Sequence, residues 1–207
     1  MAKGFDGAYV GEYNEGSAPY LSVGEYWDAD RQNVMNWIDA TGGRSMAFDF
    51  PTRTLLKAAL ETERYDLLKT IDGRPTGAIG WWPAMSVTFL DNHDTEAATG
   101  YAGDPFGDLE RTLQGYAYLL THPGIPCVSW RHFFDDAAQG AISDLIAVRK
   151  EAGIGRDSVV NILAADSAKY VAIIDGKVAV KLGRELWEPD GGWSLVAWGA
   201  DYAVWTK

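Results

Sequence analysis

The 207-residue chain sets 18 Lys and Arg against 29 Asp and Glu, a net charge of −11. That balance disfavours nucleic acid and anionic membrane surfaces as partners, because both are recognised through basic residues. A hydrophobic share of 47% excludes a disordered tail or a fibre, no apolar run approaches the ~20 residues of a bilayer span, and the opening Met1-Ala2-Lys3-Gly4-Phe5-Asp6 lacks the apolar stretch of a signal peptide.

Residues 6–15 predict a helix that opens the chain. A short strand at 20–24 follows, then a helix over 30–40 with Val34, Trp37 and Ile38 at helical spacing. Strand 45–50 leads into a helix opened by Pro51-Thr52, with Leu55, Leu56, Ala59 and Leu60 on one face. Strand 85–90 precedes helix 109–120, and strand 125–130 precedes helix 137–152. Alternation of this kind builds a parallel sheet with crossover helices. From about residue 158 only strands are signalled, at 159–163, 170–174, 178–182, 195–198 and 203–205, with Asp175-Gly176 as a hairpin turn. The predicted fold class is α/β: half of a (β/α)8 barrel over residues 1–155, then a small antiparallel β-domain over 156–207. Four strand–helix units cannot close a barrel, which takes eight and ~250 residues. The sheet therefore stays open, pairs with another copy, or belongs to something longer.

The single cysteine, Cys127, excludes an internal disulfide and a multi-thiolate metal site. Within Ile125-Pro126-Cys127-Val128 it reads as a small buried apolar residue. Nine Trp and ten Tyr are a heavy aromatic load. Aromatic faces stack on the C–H faces of sugar rings, which points toward carbohydrate; core packing is the competing use.

In parallel α/β folds the working residues lie just past the C-terminal ends of the strands. Those positions hold Glu25-Tyr26-Trp27-Asp28, Asp49, Asp91-Asn92-His93-Asp94 and Arg131-His132. A carboxyl beside Tyr and Trp is favoured in its protonated form by poor solvation, while one beside His and Asn is favoured as an anion. One acid and one anion are what glycoside cleavage uses. The bland alternative is that these acids cap the following helices.

Phe89-Leu90-Asp91-Asn92-His93-Asp94 resembles the seventh-strand motif of the α-amylase family of retaining glycosidases. Val23-Gly24-Glu25-Tyr26-Trp27-Asp28 resembles its fifth-strand motif. Residues 115–126, GYAYLLTHPGIP, and 80–84, GWWPA, are similar to plant-type α-amylases, and residues 174–178 with 201–205 resemble their terminal β-domain. The resemblance implies hydrolysis of internal α-1,4 bonds of starch-type glucans. It assigns Glu25 as general acid/base and Asp94 as the carboxylate that stabilises the transition state. It places His93 on sugar hydroxyls, Trp27 and Lys3 on the leaving-group side, and Trp81 with Trp82 at a starch-binding surface.

Departures accompany it. The family's nucleophilic aspartate falls two residues before the position matching Ala2, outside this sequence. Calcium is implied by the family, but the segments supplying most of its ligands are missing, and no metal-binding residue is assigned here. Trp130-Arg131 replaces the usual aromatic–acidic pair. Three other readings stay open: a non-catalytic glucan binder using Trp81, Trp82 and Trp187, a half-enzyme completed by a partner chain or a second copy, and a scaffold with capped helices.

Overall fold

The computed structural model describes residues 6–96 and 104–207. Helix α1 (Gly7–Ser17) starts at Asp6, whose carboxylate accepts from the Ala8 amide at 2.8 Å. Strands β1 (Val23–Gly24), β2 (Met46–Phe48), β3 (Ser86–Phe89) and β4 (Ile125–Cys127) form a parallel sheet in the order β1-β2-β3-β4. Helix α2 (Arg31–Ala40) links the first pair and α3 (Phe50–Thr62) the second. Helix α4 (Leu109–Thr121) leads into β4, and the short α5 (Trp130–Phe133) and α6 (Gln139–Ala152) follow it.

The predicted strand at 20–24 shrinks to two residues. Among the described residues β1 pairs only with β2, and Tyr20 and Leu21 lie exposed. Gly24 has a steric reason: a Cβ there would sit 2.1 Å from the Trp37 ring, so glycine lets α2 press onto the sheet. Strand β3, flanked on both sides, is buried throughout. Among the described residues strand β4 is the other edge, a place where a proline such as Pro126 is tolerated. Cys127, expected to be buried, is instead exposed: among the described residues β4 has a neighbour only on the β3 side.

Strands β5 (Val160–Ala165), β6 (Tyr170–Ile174), β7 (Val178–Leu182), β8 (Ser194–Trp198) and β9 (Tyr202–Thr206) form an antiparallel sheet in the order β5-β6-β7-β9-β8. Asp175 and Gly176 take φ values of 51° and 69°, and the Lys177 amide returns to the Ile174 carbonyl at 2.9 Å. Two central residues of positive φ make the mirror-image turn whose twist suits a hairpin.

The apolar core runs without a break between the two sheets. Leu56 and Leu60 of α3, Tyr116 to Leu120 of α4, and Ile142 and Leu145 of α6 join Tyr170, Val180 and Val204 of the antiparallel sheet. A smaller cluster holds Val34, Trp37 and Ile38 of α2 against Ala47 and Ala78.

One polar knot is sealed inside the large core. His122, fully buried at the end of α4, stacks on Tyr118 with ring centroids 3.8 Å apart. Its Nδ1 lies 2.8 Å from the Tyr118 carbonyl, and its Nε2 lies 2.8 Å from the Tyr170 hydroxyl. A carbonyl can only accept, so Nδ1 carries the hydrogen and Nε2 accepts from Tyr170. Arg149 of α6 donates to the carbonyls of Leu120, His122 and Gly124, satisfying acceptors that the end of α4 leaves open. Burial drives the His122 pKa down to about 3.

That depression makes the fold acid-sensitive. The unfolded chain binds a proton at His122 below about pH 6.5 and the folded chain does not, so stability is retained above that pH and falls toward pH 3, by up to about 1.4 kcal/mol per pH unit. Urea midpoints measured from pH 7 to 4 should fall steeply in the native protein, and the His122→Gln variant should show a shallower dependence. Equal slopes would show that His122 is not the titrating group.

Candidate functional site

Parallel strands deliver their C-terminal ends to one rim, so the segments after β1, β2, β3 and β4 meet there. Asp49, directly after β2, is wholly buried as the N-cap of α3. It accepts from the Thr52 amide at 2.8 Å and hydroxyl at 2.6 Å, and from the Ala78 and Ile79 amides at 3.1 and 2.9 Å. Burial pushes its carboxyl above the usual range while those donors pull it back. For Asp49 the capping alternative holds: its lone pairs are spent on structure.

Asp91, after β3, is likewise 4% exposed. It accepts from Arg53 Nη2 at 3.0 Å, from the Thr95 hydroxyl at 2.8 Å and from the Phe106 amide at 2.9 Å. Arg53 projects from the buried side of α3, in line with Leu56 and Leu60, and also donates to the Leu90 carbonyl and to Asp104. His132 closes the group: its Nε2 lies 3.5 Å from Asp91, and its Nδ1 meets the Tyr116 hydroxyl at 2.9 Å. Burial lowers the His132 pKa, against the pull of Asp91, Glu96 and Asp135.

Asn92 is the pivot of the rim. Its Nδ2 donates to Glu25 Oε1 at 3.0 Å, while its Oδ1 accepts from the Asp94 and Thr95 amides, each at 3.0 Å. One side chain thus binds the loop after β1 to the loop after β3. Glu25 is half-buried, the Asp94 side chain is 15% exposed, and His93 Nε2 approaches Asp94 Oδ1 at 3.6 Å from a largely exposed position.

The aromatic candidates divide. Trp27 is half-buried and stacks on Phe50 with centroids 4.7 Å apart. Trp81 is 41% exposed and carries the Arg31 guanidinium over its ring at 3.8 Å. Trp82, half-buried, packs against the α2 cluster. Trp187 meets Trp205 edge-on at 5.6 Å. Lys3 lies outside the described residues. Among the described residues no group of three or more His, Cys, Asp or Glu is arranged to hold a metal ion.

Two contributors escaped sequence reasoning. Arg53 sits on the apolar stripe of α3, and a lone Arg at i, i+3, i+7 spacing with Leu56 and Leu60 was the available signal. Glu96, two residues past Asp94, accepts from Ser129 and pairs with Arg131.

Comparison with known proteins supplies the family. A profile of the α-amylase C-terminal β-sheet domain matches residues 151–206. The chain is 46% identical over 156 residues to the α-amylase type B isozyme of Hordeum vulgare, covering 74% of this chain and 99% of that sequence. The chain belongs to the α-amylase family. In Arabidopsis thaliana it is 41% identical to the chloroplastic α-amylase 3 and to the probable α-amylase 2, with 99% and 100% of this chain aligned. It spans only 25% and 53% of those two relatives. The crystal structure of a Geobacillus thermoleovorans α-amylase complexed with acarbose superposes with a TM-score of 0.69 at 16% identity, covering 96% of this chain and 56% of that one. At that identity the likeness concerns the fold.

Breaking the buried ion pair should be costly. Arg53→Ala leaves Asp91 charged, buried and short of a partner, and should lower stability by about 3–5 kcal/mol. Chemical denaturation measures it, and a loss under 1 kcal/mol would mean that Arg53 is not the anchor described.

Proposed function

We propose that this chain is the half of an α-amylase barrel equivalent to strands five to eight, carrying the acid/base and the stabilising carboxylate for cleavage of internal α-1,4 bonds in starch-type glucans. In this reading residues 1–155 form the partial barrel and residues 156–207 the β-domain. The carrying observation is Asn92, whose amide binds Glu25 while its carbonyl oxygen binds the backbone of Asp94.

In this reading Glu25 donates its proton to the glycosidic oxygen as the C1–O bond breaks, and takes a proton back from the water that enters. Asp94 stays ionised beside C1 and offsets the positive charge that develops on the sugar ring. His93, exposed at the rim, donates to sugar hydroxyls. The family resemblance assigns Trp27 and Lys3 to the leaving-group side, and Trp81 with Trp82 to an outlying sugar contact. The carboxylate that attacks C1 comes from outside this sequence. Among the described residues strands β1 and β4 each have one neighbour, so further strands on both edges would complete the barrel, supplied by another half or by a second copy. A second copy would bring only Glu25 and Asp94 again, which suits a single displacement through water rather than a covalent intermediate.

Release of reducing ends from soluble starch tests the reading, with the chain alone and mixed with the missing half of a relative's barrel. Glu25→Gln should cut the rate by about 10²–10⁴-fold with the circular dichroism spectrum unchanged. Full activity in that variant would remove Glu25 from the acid role. Asp94→Asn should lose about 10²-fold or more by removing the stabilising charge. Glucan binding without any product, in either mixture, would leave a binding protein. The anomer released, read by NMR, separates double from single displacement.

A further inference from the structure

The segment that bears His93 and Asp94 is held at both ends. At its start Asp91 is anchored from below by Arg53 and the Phe106 amide. At its end Glu96 is gripped from the side by the segment that follows β4. Arg131 Nε lies 3.0 Å from Glu96 Oε2, and the Ser129 hydroxyl donates to Glu96 Oε1 at 3.1 Å. The Glu96 amide donates to the Asn92 carbonyl at 3.1 Å, which closes the turn over residues 92–96. Both carboxylate oxygens of Glu96 therefore bind one neighbouring loop, and its backbone binds the residue that pivots Glu25 and Asp94.

We propose that Glu96 and Arg131 are a coupled pair of positioning residues that clamp the Asn92 turn and so set the placement of His93 and Asp94. The proposal rests on the role given to Asp94 above. Position 131 is where the family resemblance leads to an acidic residue. An acid there would face Glu96 with like charge, so a cation at 131 and an anion at 96 belong together. Glu96 is 13% exposed and Arg131 59% exposed. With Arg131 open to solvent the pair adds little to global stability, and its effect is local order.

Amide hydrogen exchange resolved by NMR reads that order without any ligand. The Asp94 and Thr95 amides, both bonded to Asn92, should exchange at least tenfold faster in Arg131→Glu, while those of β6 and β7 keep their rates. Combining Glu96→Arg with Arg131→Glu should restore slow exchange. In the same variants the affinity for maltoheptaose, followed by tryptophan fluorescence, should fall about threefold or more and recover in the reversed pair. Unchanged exchange in Arg131→Glu overturns the clamp, as does a loss spread over the whole chain that the reversed pair fails to rescue. A native protein that binds no maltoheptaose refutes the glucan reading instead, and the exchange measurement still decides the clamp.

Discussion

The rim depends on one buried guanidinium. Arg53 leaves the first turn of α3, crosses beneath the loop after β3 and binds the Leu90 carbonyl, the Asp91 carboxylate and Asp104. Burying an arginine and an aspartate together is expensive, and it is tolerated only where hydrogen bonds fill the remaining donors and acceptors. Here they do: Thr95, the Phe106 amide and His132 occupy the rest of the Asp91 carboxylate. The consequence is a loop that leaves β3 in one direction and turns at Asn92.

That anchoring explains how neighbouring acids come to differ. Asp49 and Asp91 are saturated by amides, hydroxyls and a guanidinium, and they serve the backbone. Glu25 and Asp94 remain partly open to solvent at the rim, linked through Asn92. What separates the two kinds is the number of donors within reach, because a carboxylate filled with protein hydrogen bonds has no lone pair left for a substrate. Residue type cannot make that distinction.

The antiparallel sheet is continuous with the rest of the molecule through its core. Tyr170 of β6 reaches across to His122 at the end of α4, and Val180 and Val204 pack into the cluster that holds Leu56 and Tyr116. The helices that carry the rim on one side thus carry the second sheet on the other. Rigidity gained in one layer is shared by the next, since a close-packed interior transmits strain.

Sequence alone determined the elements and the family. Apolar spacing at Val34, Trp37 and Ile38 and at Leu56 and Leu60 marks the buried faces of α2 and α3, and β6 and β7 occupy the predicted residues 170–174 and 178–182. These are local properties, legible from periods of 3.6 and 2. The motifs around Glu25 and Asp94 are equally local, and the family follows from them. Tertiary structure alone decided which acids are spent as caps, which partners Arg53 takes inside the fold, and that Cys127 is exposed. The bonds responsible join residues 38 positions apart for Arg53 and Asp91 and 67 apart for Glu25 and Asn92. Such contacts depend on which strands become neighbours, and no short window of sequence encodes that.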